Sequence, residues 1–79
     1  MKKHIVVLQA GFVFMGEWHP ATKTRPAHIT DAVNIRKWGT TAGLGEIALN
    51  GPTKDTMLDP CGTVVLDNPQ ALLFTIPCQ

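Results

Sequence analysis

The residue types best suited to binding a ligand are concentrated in one segment, Lys37 to Thr53, which reads KWGTTAGLGEIALNGPT and holds four of the seven glycines. Glycine lets the backbone approach a ligand closely, and the free N–H groups at a helix start favour phosphate or carboxylate. Threonine hydroxyls add donors, two basic residues precede the run, and a tryptophan could stack on a base. The pattern predicts a site for an anionic, nucleotide-like small molecule. Its residues would be Arg36, Lys37, Trp38, Thr40, Thr41, Gly43 and Gly45.

This segment matches neither of the common phosphate-binding motifs. No Gly-Lys-Thr/Ser follows the glycines, so it is not a Walker loop. Its glycine spacing and its strand-helix-strand context also differ from the dinucleotide fingerprint. The alternative interpretation is a short capped helix whose small residues allow tight packing, with Trp38 as a core aromatic.

A short helix is predicted over about 42–50. Either Thr40 or Thr41 could cap its start through the side-chain hydroxyl. Three apolar residues at i, i+3 and i+4 would form its buried face: Leu44, Ile47 and Ala48. Gly51-Pro52 is typical of a helix end, because glycine adopts the left-handed position and proline cannot continue the helix. The two glycines inside the segment each weaken the helix by about 1 kcal/mol against alanine.

The rest of the chain is predicted to be strands joined by turns. The expected strands are 4–9, 12–18, 28–38, 56–58, 63–66 and 71–76. Ala10-Gly11 fits a hairpin turn or a bend in one long strand, and 28–38 fits a helix almost as well as a strand. Proline-containing turns are expected at 59–62 and 67–70, and a solvent-facing loop at 17–27. We therefore predict one α+β domain over 1–79: a small, mostly antiparallel curved sheet or partly open barrel with one short helix.

The other reactive residues do not form a recognisable catalytic or metal-binding pattern. The histidines are His4, His19 and His28, the cysteines are Cys61 and Cys78, and the six carboxylates are spread singly. No pair has the spacing of a zinc site, and each carboxylate has a structural explanation, such as Asp59 as the first residue of a turn. The sequence favours a non-enzyme without metal or cofactor. The two cysteines could be reduced thiols or a single bridge.

Composition favours self-association. The chain has 79 residues, of which 44% are hydrophobic and 16% are charged, against roughly 25% charged in typical soluble domains. A domain this small buries only about 60% of its unfolded surface, so we expect a homo-oligomer that hides the apolar excess. The net charge of +1 and the scattered basic residues argue against nucleic-acid binding. The apolar run near the start is interpreted as a strand, being too short to span a membrane.

Two groups of residues resemble a family of short phage- and prophage-encoded proteins of unknown function. The first is IRKWGTT followed by GLGE at residues 35–46, and the second is GPT followed by LDPCGTV at residues 51–64. The opening VVLQAGFVFMGE is also similar to their start, whereas the loop at 19–30 looks longer here. This resemblance implies a small accessory protein of a bacterial virus, acting in the cytoplasm of the host bacterium. It implies no catalytic residue or cofactor.

Two classes of function are consistent with these features. The leading hypothesis is an oligomeric, non-enzymatic phage counter-defence protein that sequesters an anionic, nucleotide-like small molecule at a subunit interface. The alternative is a protein-binding inhibitor of a bacterial defence or host enzyme, acting through the apolar strands. A nucleic-acid-binding small barrel and a virion decoration protein are weaker alternatives.

Overall fold

The computed structural model describes residues 3–79. Its five strands and one α-helix are β1 (Lys3–Leu8), β2 (Val13–His19), β3 (His28–Lys37), α1 (Leu44–Asn50), β4 (Met57–Val65) and β5 (Leu72–Pro77). Short 3-10 turns cover Gln9–Gly11 and Pro69–Ala71. All strand pairs are antiparallel, and the order across the sheet is β4-β3-β2-β1-β5. This unclosed curved sheet with one short helix confirms the predicted α+β class.

The first two strands form a hairpin, which resolves the choice left open at Ala10-Gly11. Ala10 adopts a left-handed conformation with φ of 66° inside the 3-10 turn, and Leu8 N–H donates to Phe12 O at 2.8 Å. The segment predicted at 28–38 is the strand β3 rather than a helix, in keeping with the preference of β-branched residues for strands.

Each face of the sheet carries its own apolar cluster. Helix α1 covers one of them, and its three predicted apolar residues, Leu44, Ile47 and Ala48, are all buried there. They pack with sheet residues that include Ile5, Val13, Met15 and Ile35. On the opposite face, Val6 and Ile29 have no exposed surface, although no helix among residues 3–79 covers them. Other residues of the sheet pack against them, together with Ala27 and Leu66, which lie outside the strands.

The helix begins later than predicted and is capped differently. It runs from Leu44 to Asn50, and its N-cap residue is Gly43, which makes no side-chain cap hydrogen bond. The predicted cap at Thr40 or Thr41 is therefore wrong. Its predicted end is correct, because Gly51 has φ of 84° and its N–H donates to Ile47 O at 2.8 Å.

The predicted turn at 59–62 is wrong. These residues lie inside β4, a continuous strand at the edge of the sheet. Proline is tolerated in an edge strand because its missing N–H can face solvent. The pairing of β4 with β3 shifts register at three places, and Gly62 has φ of 73°. The turn residues therefore produce irregularities in the strand rather than a chain reversal.

Smaller differences occur at the ends of other strands. β2 extends to His19, so the loop predicted at 17–27 is confined to 20–27. The expected turn at 67–70 is present as a bend leading into the 3-10 turn Pro69–Ala71, and β5 continues through Pro77 rather than ending before it. Among residues 3–79 there is no helix with the length and apolar character needed to cross a membrane.

Candidate functional site

Helix α1 starts with a carboxylate already beside it. Glu46 Oε1 accepts hydrogen bonds from Ala42 N–H at 3.2 Å and from the Thr41 hydroxyl at 3.1 Å. The Thr40 hydroxyl donates to Gly43 O at 3.0 Å. Both predicted threonine donors are therefore used within the protein, and Glu46 places negative charge where an anion would bind. This local geometry stabilises the helix start rather than leaving it free for a ligand.

The two glycines at the helix start have different surroundings. A Cβ added to Gly43 would lie 3.7 Å from Cζ3 of Trp38, so this tryptophan ring packs beside the N-cap residue. At Gly45 an added Cβ would meet nothing within 4 Å. Trp38 is 44% exposed, so the alternative that it is a core aromatic is wrong. The structure therefore brings Trp38 and Gly43 together and leaves Gly45 facing open space.

The two basic residues of the predicted site have different surroundings. Arg36 forms a salt bridge with Asp59 of β4, with Nε and Oδ2 2.9 Å apart. Asp59 therefore acts in an ion pair across two strands, not as the first residue of a turn. Lys37 is exposed at the end of β3. Arg36, one of the seven predicted ligand residues, therefore already has a carboxylate partner on the neighbouring strand.

A second location forms an open concavity on the surface. We call it the loop cavity, with a volume of about 340 Å³, and it is lined by residues 21–27 together with Leu66 and Asp67. It lies between the β2–β3 loop and the end of β4. Lys23 and Arg25 both line it, and Asp67 is the one carboxylate among the lining residues. Within the described chain, Arg36–Asp59 is the only salt bridge, so neither cation is paired with Asp67.

Local hydrogen bonds shape the wall of the loop cavity. The Thr22 N–H donates to Arg25 O at 2.9 Å, and the Thr22 hydroxyl oxygen accepts from the backbone N–H groups of Thr24 and Arg25 at 3.3 and 3.1 Å. These bonds form a turn from Thr22 to Arg25 that is stabilised by the Thr22 side chain. Lys23 and Arg25 both belong to this turn. Leu66 N–H donates to Ala27 O at 2.9 Å, which joins the loop to the end of β4.

Two histidines close the base of the same loop. His19 and His28 are directly opposite each other on β2 and β3, and their rings stack with centroids 4.4 Å apart at 7°. His19 Nε2 lies 3.0 Å from the Thr30 hydroxyl, which donates to Glu17 Oε2 at 3.1 Å. His28 Nδ1 lies 3.1 Å from Pro26 O. The pair therefore fixes both ends of the 20–27 loop at its entry into the sheet.

From the sequence, the loop at 17–27 is expected only to face solvent. A signal was present: Lys23 and Arg25 alternate with threonines between two prolines, and the loop is flanked by His19 and His28. The second wall could not be found in this way, because Leu66 and Asp67 are about 40 residues away and meet the loop only through strand pairing.

Both cysteines are free thiols. Cys61 is exposed on β4, whereas Cys78 is buried beside β1. Burial raises the pKa of the Cys78 thiol, and the nearby Lys3 charge partly opposes that effect. Among residues 3–79, no group of three or more His, Cys, Asp or Glu side chains lies close enough to hold a metal ion.

Apolar side chains remain on the surface at several places. They are Phe12, Trp38, Leu49, Met57, Val65, Leu73 and Phe74, each more than 40% exposed. Three of them, Phe12, Leu73 and Phe74, lie at the end of the sheet where β1 ends and β2 and β5 begin.

Comparison of the chain with protein-family models, with curated proteins and with solved structures found no match.

Proposed function

We propose that this protein is a non-enzymatic binding protein that captures a small anionic molecule in the loop cavity. The observation that carries this proposal is the lining of one concave site by Lys23 and Arg25, with Asp67 as its sole carboxylate. The cavity is formed within a single chain, so binding does not require a subunit interface.

The chemistry of the lining favours a phosphate group. The Arg25 guanidinium can donate two parallel hydrogen bonds to phosphate oxygens, and the Lys23 ammonium adds a mobile point charge. Leu66 and Ala27 offer a small apolar surface to the rest of a ligand. Ligand sites usually measure about 300–1,000 Å³, so a cavity of about 340 Å³ suits a mononucleotide or a smaller phosphorylated compound. Because the cations are exposed, salt should weaken the binding.

The biological role follows from the resemblance to phage proteins. We propose that the protein acts as an oligomer in the host bacterial cytoplasm and sequesters a nucleotide signal of host defence. The resemblance supports the setting, and the loop cavity supports the ligand class.

Calorimetry and thermal unfolding with a panel of ligands would test this proposal. The panel comprises AMP, GMP, inorganic phosphate and uncharged adenosine as the control. The main variant is the double substitution Lys23→Gln and Arg25→Gln. Lys54→Gln is the control for a charge outside the loop cavity, where it removes one exposed positive charge. Lys37→Gln tests the segment that the sequence predicted.

We expect a phosphorylated ligand to stabilise the wild type, since a ligand that binds only the folded state raises its stability. The double variant should lose that stabilisation, and the Lys54 variant should keep it. If no phosphorylated ligand in the panel binds or stabilises the wild type, the proposal is refuted. Loss of binding in the Lys37 variant, with binding retained in the double variant, would instead assign the ligand to residues 36–45.

Exposed apolar side chains favour a second candidate, a protein-binding inhibitor of a bacterial enzyme. Phe12 is 55% exposed and lies just before the start of β2, whereas the loop cavity lies beyond the other end of that strand. If this surface binds a protein target, Phe12→Lys should abolish stoichiometric capture of that target while leaving phosphate binding unchanged. Equal capture by wild type and variant would rule out this surface.

A further inference from the structure

The free edge of β5 is the least protected part of the sheet. β5 pairs only with β1, so its other side carries unpaired backbone groups. The strand LLFTIP contains no charged residue, and both Leu73 and Phe74 are at least half exposed. Natural sheets usually protect such an edge with charges, bulges or prolines, because an open edge can pair with another strand.

The opposite edge, β4, is protected in several of these ways. It contains Asp59 and Pro60, and its pairing shifts register at three places. β5 shows one shift, near its start, and is regular from Phe74 to Pro77. The two edges therefore differ, and the regular, uncharged one is β5.

The hydrogen-bond alternation shows which groups of β5 point outward. Cys78 N–H donates to Lys3 O at 2.9 Å, so Lys3 and Cys78 form a hydrogen-bonded pair. In antiparallel sheets such pairs alternate with non-hydrogen-bonded ones. Ile76 is therefore bonded to Ile5 of β1, whereas the N–H and C=O of Thr75 face away from the sheet. Pro77 follows the same alternation, and its missing N–H costs nothing at the edge.

We infer that β5 pairs with β5 of a second copy of this chain, forming a two-fold dimer with Thr75 at the axis. In this register the two Thr75 residues exchange both of their outward backbone hydrogen bonds. Phe74 of one subunit then lies opposite Ile76 of the partner subunit, an apolar cross-strand pair. Because β5 is uncharged, the antiparallel arrangement places no like charges opposite each other.

The length of the regular edge sets the expected strength of the dimer. Four regular residues span about 13 Å, and the resulting contact is smaller than the roughly 800 Å² per partner of a standard stable interface. The dimer should therefore form at high micromolar concentration and dissociate on dilution. This inference is independent of any ligand in the loop cavity.

Sedimentation equilibrium and amide hydrogen exchange by NMR would test the pairing. We expect the Thr75 amide to become protected as concentration rises, while the Ile76 amide stays protected at every concentration because β1 already binds it. Thr75→Pro removes the outward donor without removing a bond to β1, and should leave the protein monomeric. Phe74→Lys should do the same by adding repulsion across the axis.

Val65→Lys is the matched control, because Val65 is 46% exposed on the opposite edge strand, against 50% for Phe74. It should leave the dimer intact. Monomers at all concentrations, or a Thr75 amide whose exchange does not depend on concentration, would overturn the inference. So would loss of the dimer in the Val65 variant with retention in both β5 variants. One-dimensional NMR spectra verify that each variant is folded.

Discussion

Gly39 should be the least replaceable glycine in the chain. It has φ of 63°, and a Cβ added there would lie 2.5 Å from Asp55 O and 2.6 Å from Thr56 N. Real Cβ atoms do not approach backbone atoms this closely. The junction is further held by the Thr53 hydroxyl, which donates to Gly39 O at 2.7 Å. A side chain at this position must therefore separate the end of β3 from the segment that leads into β4.

Two effects add up in the Gly39→Ala variant. A non-glycine residue in the left-handed region costs about 1–2 kcal/mol, and forcing extra atoms into a packed contact costs about 1–3 kcal/mol. We expect the free energy of unfolding to fall by about 2–5 kcal/mol. The matched control is Gly45→Ala, at a helical position with open space around it. That substitution should stabilise the protein by about 0.5–1 kcal/mol.

Urea unfolding followed by tryptophan fluorescence and far-ultraviolet circular dichroism would measure both changes. The two alanine substitutions should change the free energy of unfolding in opposite directions, with Gly39→Ala lowering it and Gly45→Ala raising it. If Gly39→Ala unfolds at the same urea concentration as the wild type, the close approach to residues 55 and 56 is not a feature of the folded protein. If Gly45→Ala is strongly destabilising, that glycine contacts something outside the isolated chain, such as a ligand or a second copy.

Three smaller effects should follow from the same structure. Glu46→Ala should lower the free energy of unfolding in urea by about 0.3–1 kcal/mol, because it removes a negative charge from the first turn of α1 and the bond to Ala42 N–H. Arg36→Ala should cost less than about 1 kcal/mol by the same assay, because its salt bridge to Asp59 joins two half-exposed side chains. Burial raises the pKa of Cys78, so the stability linked to this thiol is complete below the pKa of the unfolded thiol and is lost as pH rises through the folded-state pKa. At alkaline pH the free energy of unfolding should accordingly fall more steeply with pH for the wild type than for Cys78→Ala. Equal slopes would contradict a raised pKa of Cys78.

Local patterns predicted the helix and most strands, because they depend on residues close in sequence. The i, i+3, i+4 spacing of Leu44, Ile47 and Ala48 identified the buried face of α1, and Gly51 identified its end. The N-cap was predicted at a threonine because threonine is a strong capping residue. The structure places Gly43 at the N-cap without a side-chain bond, and the Glu46 side chain reaches back to the N–H of Ala42, one residue before the cap.

The turn at 59–62 was mispredicted for a tertiary reason. Asp-Pro-Cys-Gly is a good turn sequence in isolation, but pairing of β4 with β3 and the Arg36–Asp59 ion pair hold it extended. No local signal shows that a proline lies on an outer strand, where it is tolerated. The fold class was therefore predictable, whereas the position of this strand in the sheet was not.

The candidate site was the least predictable part. The ligand site predicted in the glycine- and threonine-rich segment, Lys37 to Thr53, rested on residue type alone. Its donors are engaged internally, which only the hydrogen bonds of Thr40 and Thr41 could show. The loop cavity depends on the meeting of residues 21–27 with Leu66 and Asp67, and a meeting between distant residues leaves no trace in a single sequence.

The pairing of β1 with β5 has a consequence for how the chain folds during synthesis. β1 is made before the other four described strands and lies between β2 and β5, so one of its sides has no partner until Leu72–Pro77 has emerged. Ile5 and Val6, which are fully buried in the finished sheet, are then covered only in part. A ribosome-bound chain that ends before Leu72 should therefore be open to proteases and prone to aggregation. The last strand would convert it into a protected domain in a single late step.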